Sequence, residues 1–84
     1  MRWIVDYTDR ALRTFADLPP KAARRAMRLV REFAAHPGDV EFEIIASYYL
    51  FLYAADLPGW RVQVELDEPV IRVVGVSKYK PSET

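Results

Sequence analysis

The spacing of apolar residues changes at Pro37-Gly38, and that change limits what this chain can fold into. From Pro20 to about His36, Ala22, Ala23, Ala26, Met27, Leu29, Val30, Phe33 and Ala34 fall within one arc at ~100° per residue. That is the pattern of an amphipathic helix. Further on, Trp60, Val62, Val64 and Leu66 alternate with Arg61, Gln63 and Glu65, the pattern of a strand with one buried face. A chain that is helical first and strand-like afterwards buries its apolar surface by laying helices on a sheet, so the expected class is α+β.

Proline and glycine mark the boundaries. Arg2 to Tyr7 reads as a strand with Trp3, Val5 and Tyr7 on one face. Thr8 is a good N-cap, and Asp9 adds favourable negative charge to the first turn of a helix. Ala11, Leu12, Phe15 and Leu18 supply that helix with apolar contacts. Pro19-Pro20 ends it, and Pro20 can open the next helix, where a missing N–H costs nothing. Asp39 to Ser47 reads as a loop or a short irregular strand. Tyr48 to Ala55 is apolar throughout, with Tyr48, Leu50 and Leu52 on one face and Tyr49, Phe51 and Tyr53 on the other. Pro58-Gly59 occupies the positions a type II turn favours. Asp67-Glu68-Pro69 makes a second turn, and the β-branched run from Val70 to Ser77 makes a last strand. The expected order is β-α-α-β-β-β, one domain over residues 1–84, with two N-terminal helices packed on an antiparallel sheet.

Composition narrows the chemistry. The 84 residues include no cysteine, which excludes disulfides, zinc–thiolate sites and cysteine nucleophiles. Stability must therefore come from packing or from a partner. No His/Asp/Glu cluster has metal-ligand spacing and no glycine-rich phosphate loop is present, so neither metal nor cofactor is expected. No apolar run approaches the ~18 residues of a membrane span. With no leader segment visible at Met1-Arg2, the expected location is the cytoplasm. Formal charge is zero but divided: residues 1–36 hold eight Arg/Lys against four Asp/Glu, and residues 37–84 the reverse.

Several stretches together resemble the RelE/ParE superfamily of toxins from type II toxin–antitoxin systems. Gly59-Trp60-Arg61-Val62 is similar to the family's Gly-x-Tyr-Arg-Val run, and the resemblance continues through Asp67 to Val76. Tyr7-Thr8-Asp9-Arg10-Ala11-Leu12 to Leu18-Pro19 looks like the family's first helix, and Val30 to Pro37 like the end of its second. The resemblance covers nearly the whole chain in order. It implies a compact fold related to microbial ribonucleases, and an antitoxin as partner. RelE members cleave mRNA in the ribosomal A site, whereas ParE members inhibit DNA gyrase. The resemblance thus implies a translation inhibitor acting on ribosome and mRNA. The alternative is a ParE-like gyrase inhibitor or a binding protein without ribonuclease activity.

Cleavage through the 2′-OH needs a base, an acid and a cation for the phosphorane charge. The resemblance puts Arg61 at the family's strand arginine, in the phosphate-binding role that a planar guanidinium suits. It puts Lys78-Tyr79-Lys80 at the family's basic patch, with Tyr79 as the catalytic acid or base and Lys78 and Lys80 binding RNA. Flanking lysines would favour the phenolate of Tyr79. Ribonucleolytic members carry lysines on the strand before this arginine; here that strand has Leu50, Phe51 and Leu52, and no basic residue occurs from Val40 to Trp60. The stripe Tyr49, Phe51 and Tyr53 would either stack on bases or be covered by an antitoxin segment, a second copy of the chain or the second helix. Lys21, Arg24, Arg25, Arg28 and Arg31 share the polar side of that helix; Arg24, Arg28 and Arg31 are the candidates for meeting an acidic partner.

Overall fold

The structure, a computed structural model, describes residues 3–80. In chain order it comprises β1 (Ile4–Tyr7), α1 (Asp9–Ala16), α2 (Pro20–Ala35), a 3-10 turn (Pro37–Asp39), β2 (Glu41–Ala46), β3 (Tyr49–Tyr53), β4 (Trp60–Asp67) and β5 (Val70–Lys78). The strands form one sheet in the order β1-β5-β4-β3-β2. Two helices on a mostly antiparallel sheet give the α+β class expected. The sheet has one strand more than the β-α-α-β-β-β order, because residues 41–46 pair with β3 in regular antiparallel register. The N-terminal strand is also not antiparallel: β1 runs parallel to β5, with Ile4 opposite Val70 and Tyr7 opposite Val73.

Local chemistry sets the boundaries. The Thr8 side chain accepts a hydrogen bond from the Ala11 N–H and donates one to the Val73 carbonyl, 3.1 Å away in each case. One side chain thus caps α1 and ties it to the far strand. Pro58 and Gly59 hold the centre of the turn into β4; Gly59 has φ +79°, where a side chain would be strained. A bulge in β5 leaves Val74 unpaired between the Gln63–Gly75 and Val64–Val73 partners. A Cβ at Gly75 would stand 3.3 Å from Thr14 Oγ1, so glycine there permits close approach of α1.

The core lies between the helices and one sheet face. Ala11, Phe15 and Leu18 on α1 and Ala26, Leu29, Val30 and Phe33 on α2 meet Leu52, Val62, Val64, Ile71 and Val73. Leu12 is 51% exposed, rotated about 100° from the Ala11 face. Met27 is likewise outside the core, at the flank of the α2 stripe. Because Leu50 and Leu52 point to the helices, Tyr49, Phe51 and Tyr53 point away from them. Helix α2 therefore does not cover the aromatic stripe, one of the three coverings expected for it. No helix among the described residues is long and apolar enough to cross a membrane.

Candidate functional site

The sheet face opposite the helices is open, and strand register brings the candidate residues together on it. Arg61 pairs with Ser77 across β4 and β5, and Phe51 pairs with Gln63, which places Phe51 diagonal to Arg61. The Arg61 guanidinium carbon lies 3.7 Å from the centre of the Phe51 ring and 5.9 Å from that of Tyr79. Its Nε donates to Ser77 Oγ at 3.3 Å. Tyr79 meets Tyr53 edge to face, with ring centres 5.1 Å apart. The Tyr53 hydroxyl donates in turn to Glu43 Oε1 at 3.4 Å. Arg61, Tyr79, Phe51 and Tyr53 thus form one constellation, with Ser77 and Glu43 at its ends.

Among the described residues two arginines share this face, and their surroundings differ. Arg72 is ringed by Asp67, Glu65 and Asp6 at 3.5, 3.7 and 4.0 Å. Among the described residues, no carboxylate lies within salt-bridge distance of Arg61. A guanidinium stacked on an aromatic ring and braced by a hydroxyl, with most of its fork unused, is arranged to receive an anion.

Lys78, Tyr79 and Lys80 border one cleft with Pro58, Gly59 and Trp60, about 430 Å³ in volume. Strand alternation nevertheless divides them. The Lys78 ammonium lies 5.1 Å from the Trp60 ring centre, while Tyr79 turns to Tyr53 and Arg61. The Tyr79 N–H donates to the Gly59 carbonyl at 3.0 Å, fixing the chain where it leaves β5. Lys80 is exposed. Tyr49 lies at the far end of the stripe, 40% exposed and opposite Glu65.

Arg24, Arg28 and Arg31 sit on the outer side of α2, away from the Arg61 constellation, and line a shallow groove with Lys21 and Met27. Arg25 is not part of a free basic stripe. It holds both Asp56 oxygens at 2.8 Å and Glu32 at 3.1 Å, pinning α2 to the β3–β4 loop. Burial opposes the Arg25 charge, but the bond to Asp56 and the nearby carboxylates outweigh it and raise the Arg25 pKa. That same bond holds the Asp56 carboxyl below the ordinary value. Arg28 reaches Glu32 at 3.9 Å, the i,i+4 pair their spacing allows. Burial pushes the Tyr7 hydroxyl up, offset in part by Arg31. The positive first half of the chain thus supplies the helix layer, and the acidic second half supplies most of the sheet. Among the described residues, no three His, Asp or Glu converge as a metal site.

Sequence reading placed Phe51 in the stripe but did not link it to Arg61, and it missed Ser77 and Glu43. The signal lay in register. Once Pro58-Gly59 fixes the turn, counting outward along β3 and β4 brings Phe51 and Tyr53 beside Arg61.

No protein-family model and no curated protein matches the sequence. Solved structures do match the fold. A chain of the toxin–antitoxin complex RelBE2 from Mycobacterium tuberculosis superposes with a TM-score of 0.76 at 14% identity, covering 94% of this chain and 100% of that one. The isolated RelE toxin of E. coli gives a TM-score of 0.74 at 18% identity, covering 96% of this chain and 88% of that one. A chain of the RelB–RelE antitoxin–toxin complex of Methanococcus jannaschii gives 0.70 at 10% identity, covering 87% and 88%. The chain has the RelE toxin fold.

Proposed function

We propose that this chain is the toxin of a toxin–antitoxin pair, a RelE-like inhibitor of translation that cleaves mRNA on the ribosome. The observation that carries the reading is Arg61, unpaired by any carboxylate among the described residues and oriented by Phe51 and Ser77 on the open face of a RelE fold. In cleavage, the 2′-oxygen attacks phosphorus and gives up its proton, and the bond to the 5′-oxygen breaks as that oxygen takes a proton. Arg61 holds the phosphate and balances the charge that builds on its oxygens. The Tyr79 hydroxyl supplies the proton to the leaving oxygen. The Tyr53–Glu43 hydrogen bond offers the attacking hydroxyl's proton a path to a carboxylate. Lys80 adds positive charge at the rim. The implied partners are a cognate antitoxin, the ribosome and mRNA, met in the cytoplasm.

One observation favours a second reading. Among the described residues, Asp6, Glu41, Glu43, Glu65 and Asp67 share the open face with Arg61 and Arg72, and an acidic surface repels a polyanion. That balance suits a toxin that binds its target without cutting RNA, as a gyrase inhibitor would. Isotope incorporation after induced expression separates the two, with Arg61→Ala as control. Under the first reading, methionine uptake falls before thymidine uptake, and purified protein cuts mRNA only on programmed ribosomes. Thymidine uptake falling first, with intact mRNA, would replace it with the second.

A further inference from the structure

Among the described residues β2 lies at the sheet margin, hydrogen-bonded to β3 on one side only. All six of its residues are exposed. Its side chains alternate in chemistry as well as direction. Phe42 and Ile44, opposite Leu52 and Leu50, point to the helix side, yet 43% and 64% of their surfaces remain exposed. Phe42 meets the Phe33 ring edge to face, ring centres 5.9 Å apart. Glu41 and Glu43, opposite Tyr53 and Phe51, point to the open face, and among the described residues neither carboxylate has a salt bridge. Natural sheets guard free margins with lysine, proline or very short strands. The opposite margin, β1, has four residues. β2 has neither lysine nor proline, and its only interruption is the irregularity between Ile44 and Ala46.

We propose that the free margin of β2 is a docking edge for an extended segment of another protein, one in which apolar residues alternate with lysine or arginine. Strand addition would satisfy the outward backbone groups of β2, and period-two alternation would carry the specificity. On the helix side, the segment's apolar residues extend the layer that Phe42 and Ile44 leave uncovered. On the open side, its cations meet Glu41 and Glu43, which have no salt bridge among the described residues; Glu43 accepts only the long hydrogen bond from the Tyr53 hydroxyl. A second copy of the chain fits poorly. Two β2 strands related by a two-fold axis normal to the sheet keep their faces, which crowds Glu41, Glu43 and their symmetry mates onto one side. Nucleic acid is repelled by the same carboxylates. The docking edge shares Glu43 with the ribonuclease reading but does not rest on it, because its tests read binding and amide exchange at β2 and not RNA cleavage.

The test uses the full chain and three synthetic peptides with blocked ends: alternating lysine and valine, alternating glutamate and valine, and alternating lysine and serine. Binding is followed by calorimetry, and amide hydrogen exchange locates it. The lysine–valine peptide is expected to bind roughly ten-fold or more tighter than either other peptide: against glutamate–valine, two favourable cross-strand pairs replace two unfavourable ones, and against lysine–serine it adds the apolar contacts beside Phe42 and Ile44. Protection should appear within residues 41–46. The double variant Glu41→Lys/Glu43→Lys, checked for an unchanged thermal midpoint, should prefer the glutamate–valine peptide. Equal binding of the lysine–valine and lysine–serine peptides would overturn the proposal, because charge alone would then explain it. Protection elsewhere would overturn it, as would a dimer of the free chain broken by Ile44→Lys in sedimentation. None of these readouts depends on toxicity.

Discussion

Leu52 and Phe51 are neighbours whose side chains leave β3 on opposite faces, so truncating each to alanine should give opposite kinds of damage. Leu52 has no exposed surface and faces the helix layer beside Val62. Leu52→Ala leaves a cavity in a closed core and should cost about 2–5 kcal/mol. An 84-residue domain holds about 4–13 kcal/mol in all, at ~0.05–0.15 kcal/mol per residue. At about 4–8 °C per kcal/mol for this size, the midpoint should fall by roughly 8–40 °C. Phe51 is only half-buried, and its distinctive contact is the guanidinium 3.7 Å above its ring. Phe51→Ala should cost about 1–2 kcal/mol, of which the cation–π contact is about 0.5–1 kcal/mol. Its larger effect falls on Arg61, which loses the surface that orients it, so toxicity should drop while the protein stays folded. Urea and thermal denaturation measure the first effect, and growth arrest after induction at 25 °C measures the second. A Phe51→Ala variant that melts as low as Leu52→Ala would refute the assignment of faces. One that is folded and fully toxic would refute the role of the stacked pair.

Three further outcomes are expected. Folding favours ionised Asp56, because the hydrogen bond from Arg25 lowers its pKa from 3.8; that contribution is complete above about pH 4 and fades as pH drops through the depressed value. The stability gap between wild type and Asp56→Asn in urea should therefore narrow from about pH 6 to about pH 3. Gly75→Val drives a branched side chain toward Thr14 Oγ1, already 3.3 Å from the site of a Cβ, and should cost about 1–3 kcal/mol by thermal denaturation, partly recovered by Thr14→Ala. Gly59→Ala places a side chain at φ +79° and should cost about 1–2 kcal/mol, with faster amide exchange at Tyr79, whose N–H bonds to the Gly59 carbonyl.

Elements whose partners lie close in sequence were the legible ones. Pro19-Pro20 and Pro37-Gly38 bracket α2, and the alternation of β4 identifies its buried face without reference to any other strand. β2 was obscured because both of its faces are exposed, although Glu41-Phe42-Glu43-Ile44 does alternate acidic and apolar residues. The parallel pairing of β1 with β5 leaves no local trace, since it depends on where the chain returns. Arg25 illustrates the same limit at the level of one side chain. By helical angle it belongs with the solvated arginines, and only tertiary structure brings Asp56, 31 residues on, to its guanidinium. Arg61 was found by motif, while its platform required register.

β5 is the last strand among the described residues, yet it sits between β1 and β4. The Thr8 hydroxyl that caps α1 reaches a carbonyl 65 residues later, and among the described residues β1 has no other strand to pair with. During synthesis β1 must wait, unpaired, until β5, more than 60 residues further on, has been made. Closing so long a loop is slow, and the helices have only part of a sheet to rest on until it closes. Tyr79 follows β5 and arrives later still. A nascent chain therefore emerges without the surface around Arg61, which is assembled only once β5 and Tyr79 have left the ribosome.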